Sequence, residues 1–283
     1  DSAVLKFGAD GDTTLTHTDG TGLTLNSTNK LCFNDASQFI QGSSNAILAL
    51  GATDEIDLTA TAVDLNGTLD VSGTSQFNAA VTLAGTTPTL TIGDAGAEDT
   101  KIVFDGNAQD FHIGLDDSAD DLVIGLGSTL GTTTHMAFDE AGHITKPLQC
   151  AFLEFVTTNE TLSGLDSFTA VKYGTEVFDQ NADFNTSNYT FTAPVTGRYQ
   201  LNATCGISGQ DDSTELILRL DASNRDLDIR EFSTASGGNV HMLTGSVLMD
   251  MDASDTCKIE IKVASASAEF YPERSNFSGY LVA

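Results

Sequence analysis

The sequence predicts an all-β chain built in three successive parts, and three observations carry that expectation. Across residues 1–92, apolar side chains come in pairs separated by one residue, with starts recurring every six to nine residues. From 93 to 147 short alternating runs sit between Asp-, Asn- and Gly-rich turns, and from about 148 onward the alternating runs lengthen. No stretch shows the 3.6-residue period of a long helix.

The first part is a degenerate repeat. Leu23/Leu25, Leu31/Phe33, Leu48/Leu50, Ile56/Leu58, Val63/Leu65, Leu69/Val71, Val81/Leu83 and Leu90/Ile92 form the series, with Phe39 and Phe77 in its gaps. Turn signals at Asp10-Gly11, Asp19-Gly20, Asn66-Gly67 and Ala84-Gly85 leave room for strands of about four residues. A lone chain of such strands buries too little apolar surface to offset about 1–2 kcal/mol of backbone entropy per residue. Three chains wound around one axis can, because each strand then buries its pair against two neighbours and closes its ladder. An intertwined triple β-shaft over residues 1–92 is the expectation; a Ser/Thr-rich linker or a monomeric β-solenoid fits the same repeats.

In the second part, Ile102/Phe104, Phe111/Ile113/Leu115 and Leu122/Ile124/Leu126 predict three strands of an antiparallel meander. Met136 and Phe138 with Ile144 predict a further hairpin across Asp139-Glu140-Ala141-Gly142. A linking module over 93–147 follows.

The third part, 148–283, reads as strands at Phe152–Val156, Phe168–Lys172, Thr214–Leu220, Leu227–Phe232, Val240–Met249 and Cys257–Val263. Tyr189, Phe191 and Ala193 alternate up to Pro194-Val195-Thr196-Gly197, and Tyr199, Leu201 and Ala203 alternate after it, which predicts an aromatic hairpin. With a closing strand in Phe277–Ala283, the strand count is about that of a jelly roll.

The intervals between Tyr173, Asp179, Phe184, Phe191, Gly197 and Tyr199, with the closing run Phe277-Ser278-Gly279-Tyr280-Leu281, resemble the fingerprint of the globular head of complement C1q. Tyr173 stands where that family usually has Phe, and Leu201 and Ala203 where it usually has aromatics. The resemblance implies a ten-stranded C1q/TNF-like jelly roll that assembles as a homotrimer. Its structural core would hold Tyr173, Phe184, Phe191, Gly197, Tyr199, Leu201, Phe277, Gly279 and Tyr280. An unrelated β-sandwich is the alternative for this part.

Two further stretches carry a second resemblance. Gly142–Phe152 is similar to the joint that precedes distal modules in bacteriophage tail-fibre proteins, with Cys150 where that family often has Pro. Thr100–Asp117 resembles modules of phage structural proteins. Shaft, joint and head in that order imply a virion fibre, on the outside of the particle, whose head binds a host surface glycan or protein. The chain starts at Asp1 rather than Met, so attachment to other virion proteins is expected through a preceding region. A purely structural decoration protein, a secreted or cellular C1q-like adhesin, and a glycan depolymerase are the alternatives.

Charge and chemistry narrow the classes. Forty acidic against twelve basic residues give a formal charge of −28, which repels phosphate backbones and argues against a nucleic-acid partner. No apolar run nears the 18 or so residues of a membrane helix, so no membrane insertion is expected. His17, His112, His135, His143 and His241 sit in unrelated contexts without a GxSxG elbow, and His112 and His241 read as exposed strand residues. No catalytic, cofactor or metal residue is assigned, and a non-enzymatic protein is expected. Calcium stays open: Asp116, Asp117, Asp120 and Asp121, then Asp211 and Asp212, then Asp250, Asp252 and Asp255 crowd three turns, where solvated carboxylates are the simpler reading. Cys32, Cys150, Cys205 and Cys257 lack metal-ligand spacing; Cys205 and Cys257 either pair or are small buried thiols. Receptor contact is expected in the loops 208–214, 234–239 and 264–274.

Overall fold

The computed structural model describes residues 3–162, 165–210, 214–232, 240–264 and 268–283. The chain is all-β, with one 3₁₀ turn (Pro272–Arg274) among the described residues. It divides into two compact units, Asp1–Ala84 and Gly85–Ala283.

In the first unit, β1 (Val4–Phe7), β2 (Thr13–Thr18) and β3 (Gly22–Leu25) form one antiparallel sheet, and β4 (Lys30–Phe33), β5 (Asp35–Ser44) and β6 (Ile47–Gly51) a second. The turns fall where Asp-Gly pairs stand, with Gly11 and Gly20 at φ of 67° and 69°, a region that costs glycine nothing. Asn26 pins the first sheet by accepting from Thr14 N–H at 2.6 Å and donating to Asp12 O at 2.7 Å. The expected repeat of strands stops there. Among residues 52–99 no strand forms, and the pairs Ile56/Leu58, Val63/Leu65, Leu69/Val71, Val81/Leu83 and Leu90/Ile92 stand 45–66% exposed. Two apolar side chains per unit bury too little within one chain to hold a ladder.

The second unit starts with a five-stranded meander in sequential order: β7 (Thr100–Phe104), β8 (Phe111–Asp116), β9 (Asp121–Leu126), β10 (Thr134–Phe138) and β11 (Ile144–Thr145). Register places three rows of side chains on one face: Phe104, Phe111 and Leu126; then Ile102, Ile113, Ile124 and Met136; then Thr100, Leu115, Leu122 and Phe138. The other face buries Val123, Leu130 and Ala137. His112 is on that buried face, 1% exposed, with Nδ1 2.9 Å from Gly127 O, so the expectation of an exposed strand residue is corrected. Residue 112 has the opposite parity to Phe111 and Ile113, and Gly125 opposite it leaves room for the ring.

The head follows from β12 (Ala151–Val156) through β13 (Thr161–Leu162), β14 (Leu165–Ala170), β15 (Tyr173–Asp179), β16 (Phe184–Asn185), β17 (Thr190–Thr192), β18 (Gly197–Ser208), β19 (Glu215–Ala222), β20 (Arg225–Phe232), β21 (His241–Met251), β22 (Thr256–Val263) and β23 (Ala268–Phe270) to β24 (Asn276–Leu281). One sheet runs β15, β12, β24, β18, β21, with β23 and β13 continuing beside the end of β18. The other runs β20, β19, β22, with β17 and β14 on the free edge of β22 and β16 outside β17. This is a jelly-roll sandwich, its core filled by the inward residues of both sheets.

The aromatic hairpin expected around Pro194 does not form. β17 pairs with β16 and β22, whereas β18 pairs with β21 and β24, so the two alternating runs lie in opposite sheets. Both present apolar residues to one interior, and the rings of Phe191 and Tyr199 meet across it at 5.4 Å. Pro194 offers no N–H to a ladder. The crossing is fixed by Tyr199, whose hydroxyl donates to Val195 O at 2.6 Å.

Candidate functional site

Four aromatic rings at the centre of the head hold the two sheets in register. Phe152 stacks on Phe184 at 5.2 Å and on Phe191 at 4.9 Å, and Phe277 meets it edge-on at 5.1 Å. Tyr173 is fully buried against Phe277 and donates its hydroxyl to Thr204 O at 2.9 Å. Leu201 is equally buried, and Gly279 lets it close on Phe152: a Cβ there would lie 2.7 Å from Leu201 Cδ2 and 2.8 Å from Phe152 Cε1. Gly197 sits beside Leu281 and the carbonyl of Ala283. Tyr280 differs from the expectation, being 49% exposed and outside this core. Phe277 faces in, so period two turns Gly279 in and Tyr280 out.

Outward parity creates a surface on the β15–β12–β24–β18–β21 sheet. Leu153 lies opposite Phe178, and a neighbouring row runs Ala151, Tyr280, Gln200, Leu248. Phe178, Tyr280 and Leu248 are 46%, 49% and 54% exposed, and between them Gln200 donates to Ser246 Oγ at 2.9 Å while that hydroxyl donates to Asn202 Oδ1 at 2.8 Å. Such a face, apolar with a satisfied polar centre, is suited to a protein partner.

A second candidate surface is the end of the head remote from the linking module. Gln149, Gln180 and Asn181 tie the near end through bonds to Leu281 O, Lys146 O and Leu148 O at 2.6, 2.8 and 2.8 Å. From Gly197 at that end, β18 climbs twelve residues, about 36 Å at 3.3 Å per residue, to Ser208. There Ile207 pairs with His241, Ser208 with Glu269, Glu215 with Phe232 and Leu216 with Val263. The three loops expected to carry recognition therefore spring from one end. Their residues 211–213, 234–239 and 265–267, with Asp211 and Asp212, lie outside the described residues.

Sequence reasoning missed Glu154. It occupies an inward position of β12 between Phe152 and Val156, is fully buried, and neither carboxylate oxygen has a hydrogen-bond partner. Burial, and after it the charges of Glu176 and Asp179, raise its pKa from 4.5 to about 7. The signal was available: a carboxylate two residues from Phe152 in a strand of period two.

The acidic turn at 250–255 holds its carboxylates on protein donors rather than leaving them for calcium. Asp255 accepts from Ser223 Oγ at 2.7 Å and Asp252 N–H at 2.9 Å, donors that hold its pKa below the ordinary value, and from Asn224 Nδ2 at 3.3 Å. Asp250 pairs with Arg225 at 2.7 Å. Among the described residues no group of three or more His, Cys, Asp or Glu could hold a metal ion. Cys150, Cys205 and Cys257 are buried free thiols and Cys32 an exposed one; burial pushes Cys257 up to about 12. Among the described residues, no helix is long and apolar enough to cross a membrane.

Comparison with known proteins adds a likeness confined to the head. Residues 151–282 match the model of the C1q domain. No curated protein matches the chain. Among solved structures, the globular domain of zebrafish complement 1qA protein is 19% identical, covering 48% of this chain and 98% of that one, with a TM-score of 0.37. Murine APRIL is 14% identical, covering 47% and 99%, and the Eiger TNF of S. frugiperda 12%, covering 48% and 94%, both with a TM-score of 0.37. The buried aromatic centre, the two-sheet sandwich and the span of the family match coincide: the head is a jelly roll similar to the C1q domain.

Proposed function

We propose that this chain is a homotrimeric virion fibre, a phage tail fibre, in which a β-shaft (1–92) and a linking module (93–147) carry a non-enzymatic head (148–283) that binds a host surface glycan or protein. One observation carries the reading: a chain with a C1q-like head also holds a repeat whose apolar pairs stand largely exposed, short of a packing partner in their own chain. Copies of the same chain supply that partner. The outward face around Leu153, Phe178, Tyr280 and Leu248 gives the heads a matching contact. Three heads on one stalk turn weak single contacts into firm attachment, since the second contact forms at high effective concentration.

Binding falls to the far end of the head, through the loops 208–214, 234–239 and 264–274. The test applies the labelled intact protein to a glycan array and to host cells. Binding that falls with substitutions in these loops is expected, and loops that can be changed without effect on either binding or infectivity would turn the reading toward a purely structural part.

A second reading, a secreted C1q-like adhesin, is favoured by the family match, which covers only the head. Mass spectrometry of purified virions separates the two, because an adhesin is absent from particles.

A further inference from the structure

The linking module carries its larger apolar surface on the outside. Of the eleven positions in the three rows described above, ten are apolar and none is charged. The buried face of the same sheet holds three core residues, too few for some fifty residues to stand on. Phe104 is 60% exposed, and Ile102, Phe111, Leu115 and Leu122 lie between 42% and 45%. At about 200 Å² per large side chain, those five leave roughly 450 Å² of apolar surface open. Ile92, the last apolar residue of the repeat, lines the same groove as Ile102, Ile113 and Leu115, so the unpartnered series of the shaft runs into this face.

We propose that this face is a self-association surface, closing against the same face of the other copies of this chain to form a dry three-sheet prism below the heads. Its lack of charge selects the occupant. In a chain of net charge −28, copies repel wherever carboxylates face each other, and here none do. A basic partner would instead be drawn to the turn bearing Asp116, Asp117, Asp120 and Asp121. Area sets its share: these five side chains supply about 450 Å² to each pairwise contact, roughly a third of a specific interface, so the face acts together with the other surfaces that the copies share. The number of copies rests on the trimeric reading above, whereas the place of the contact does not.

The test uses the intact chain with Cys32→Ser, into which either Ile113→Cys on the face or Thr129→Cys on the exposed loop is introduced. Mild oxidation or a short bis-maleimide is applied, and light scattering is run in parallel. Three thiols around one axis can form one bridge, so about two thirds of the Ile113→Cys chains should run as covalent dimers, with almost none for Thr129→Cys. Leu115→Cys repeats the measurement should Ile113→Cys fold poorly. A trimer by light scattering without a bridge at 113 or 115 overturns this inference and leaves the trimeric fibre standing. A monomer overturns both. Equal bridging at 113 and 129, or capture of a different polypeptide at 113, also overturns it.

Discussion

Glu154 sets a measurable pH dependence on the head. Its pKa lies at about 7 in the folded protein against 4.5 for an ordinary glutamate, so folding favours its protonated form. A group raised in this way contributes its full stability below the unfolded value, and that contribution fades as pH climbs through the folded one. The displacement corresponds to about 3 kcal/mol, lost between pH 4.5 and 7. Thermal melts at pH 5 and pH 8 should show Glu154→Gln gaining on the wild type at the higher pH by a margin of that order and not at the lower. Parallel shifts at both pH values would sink the assignment. Phe152→Ala, which removes the ring shared by three aromatic neighbours, should cost about 3–5 kcal/mol. Adding a methyl at Gly279 should cost about 1–3 kcal/mol by pressing on Leu201 and Phe152; urea titration measures both. Parity decided what could be read at this scale. The intervals that mark Phe184, Phe191 and Phe277 also fix which neighbours face in: Tyr280, which only the resemblance places in the core, has outward parity, and Glu154 has the inward parity of Phe152.

Strand positions were legible from alternation, and strand partners were not. Tyr189–Ala193 and Tyr199–Ala203 look like a hairpin because the period of two is the same whether two strands share a sheet or face one another across a core. Only the lengths of the crossings decide, and Pro194–Thr196 is long enough to change sheets. The shaft poses the same problem more sharply. Asp-Gly pairs mark its turns, but a strand exists only where something pairs with it, and residues 52–99 have nothing in their own chain. If other copies supply the ladder, backbone amides around Ile56, Val63, Leu69 and Val81 should exchange slowly in the assembled protein, since protection tracks a cooperative, hydrogen-bonded unit. Exchange at random-coil rates across 56–83 in a protein that light scattering shows to be trimeric would reduce this segment to a linker.

On the scale of the whole molecule, charge and apolar contact oppose each other. Each chain carries −28, with only twelve basic residues, and several of these are spent on pairs within the head, such as Arg219 with Asp228 at 2.7 Å and Arg225 with Asp250 at 2.7 Å. Bringing copies side by side therefore adds repulsion, and in the proposed trimer the charge-free face of the module and the outward face of the head would have to outweigh it. The two terms respond differently to salt. Repulsion between surface carboxylates reaches about 30 Å at 0.01 M ionic strength and about 3 Å at 1 M, whereas apolar burial is little weakened by sodium chloride. The assembly should consequently melt at a higher temperature, and dissociate at a lower protein concentration, as salt rises from 0.01 to 0.5 M. Most of the gain should come below about 0.15 M, where the Debye length falls fastest. An assembly held together by ion pairs between copies would behave in the opposite sense and loosen with salt, so a falling melting temperature would show that the interface had been placed on the wrong surfaces.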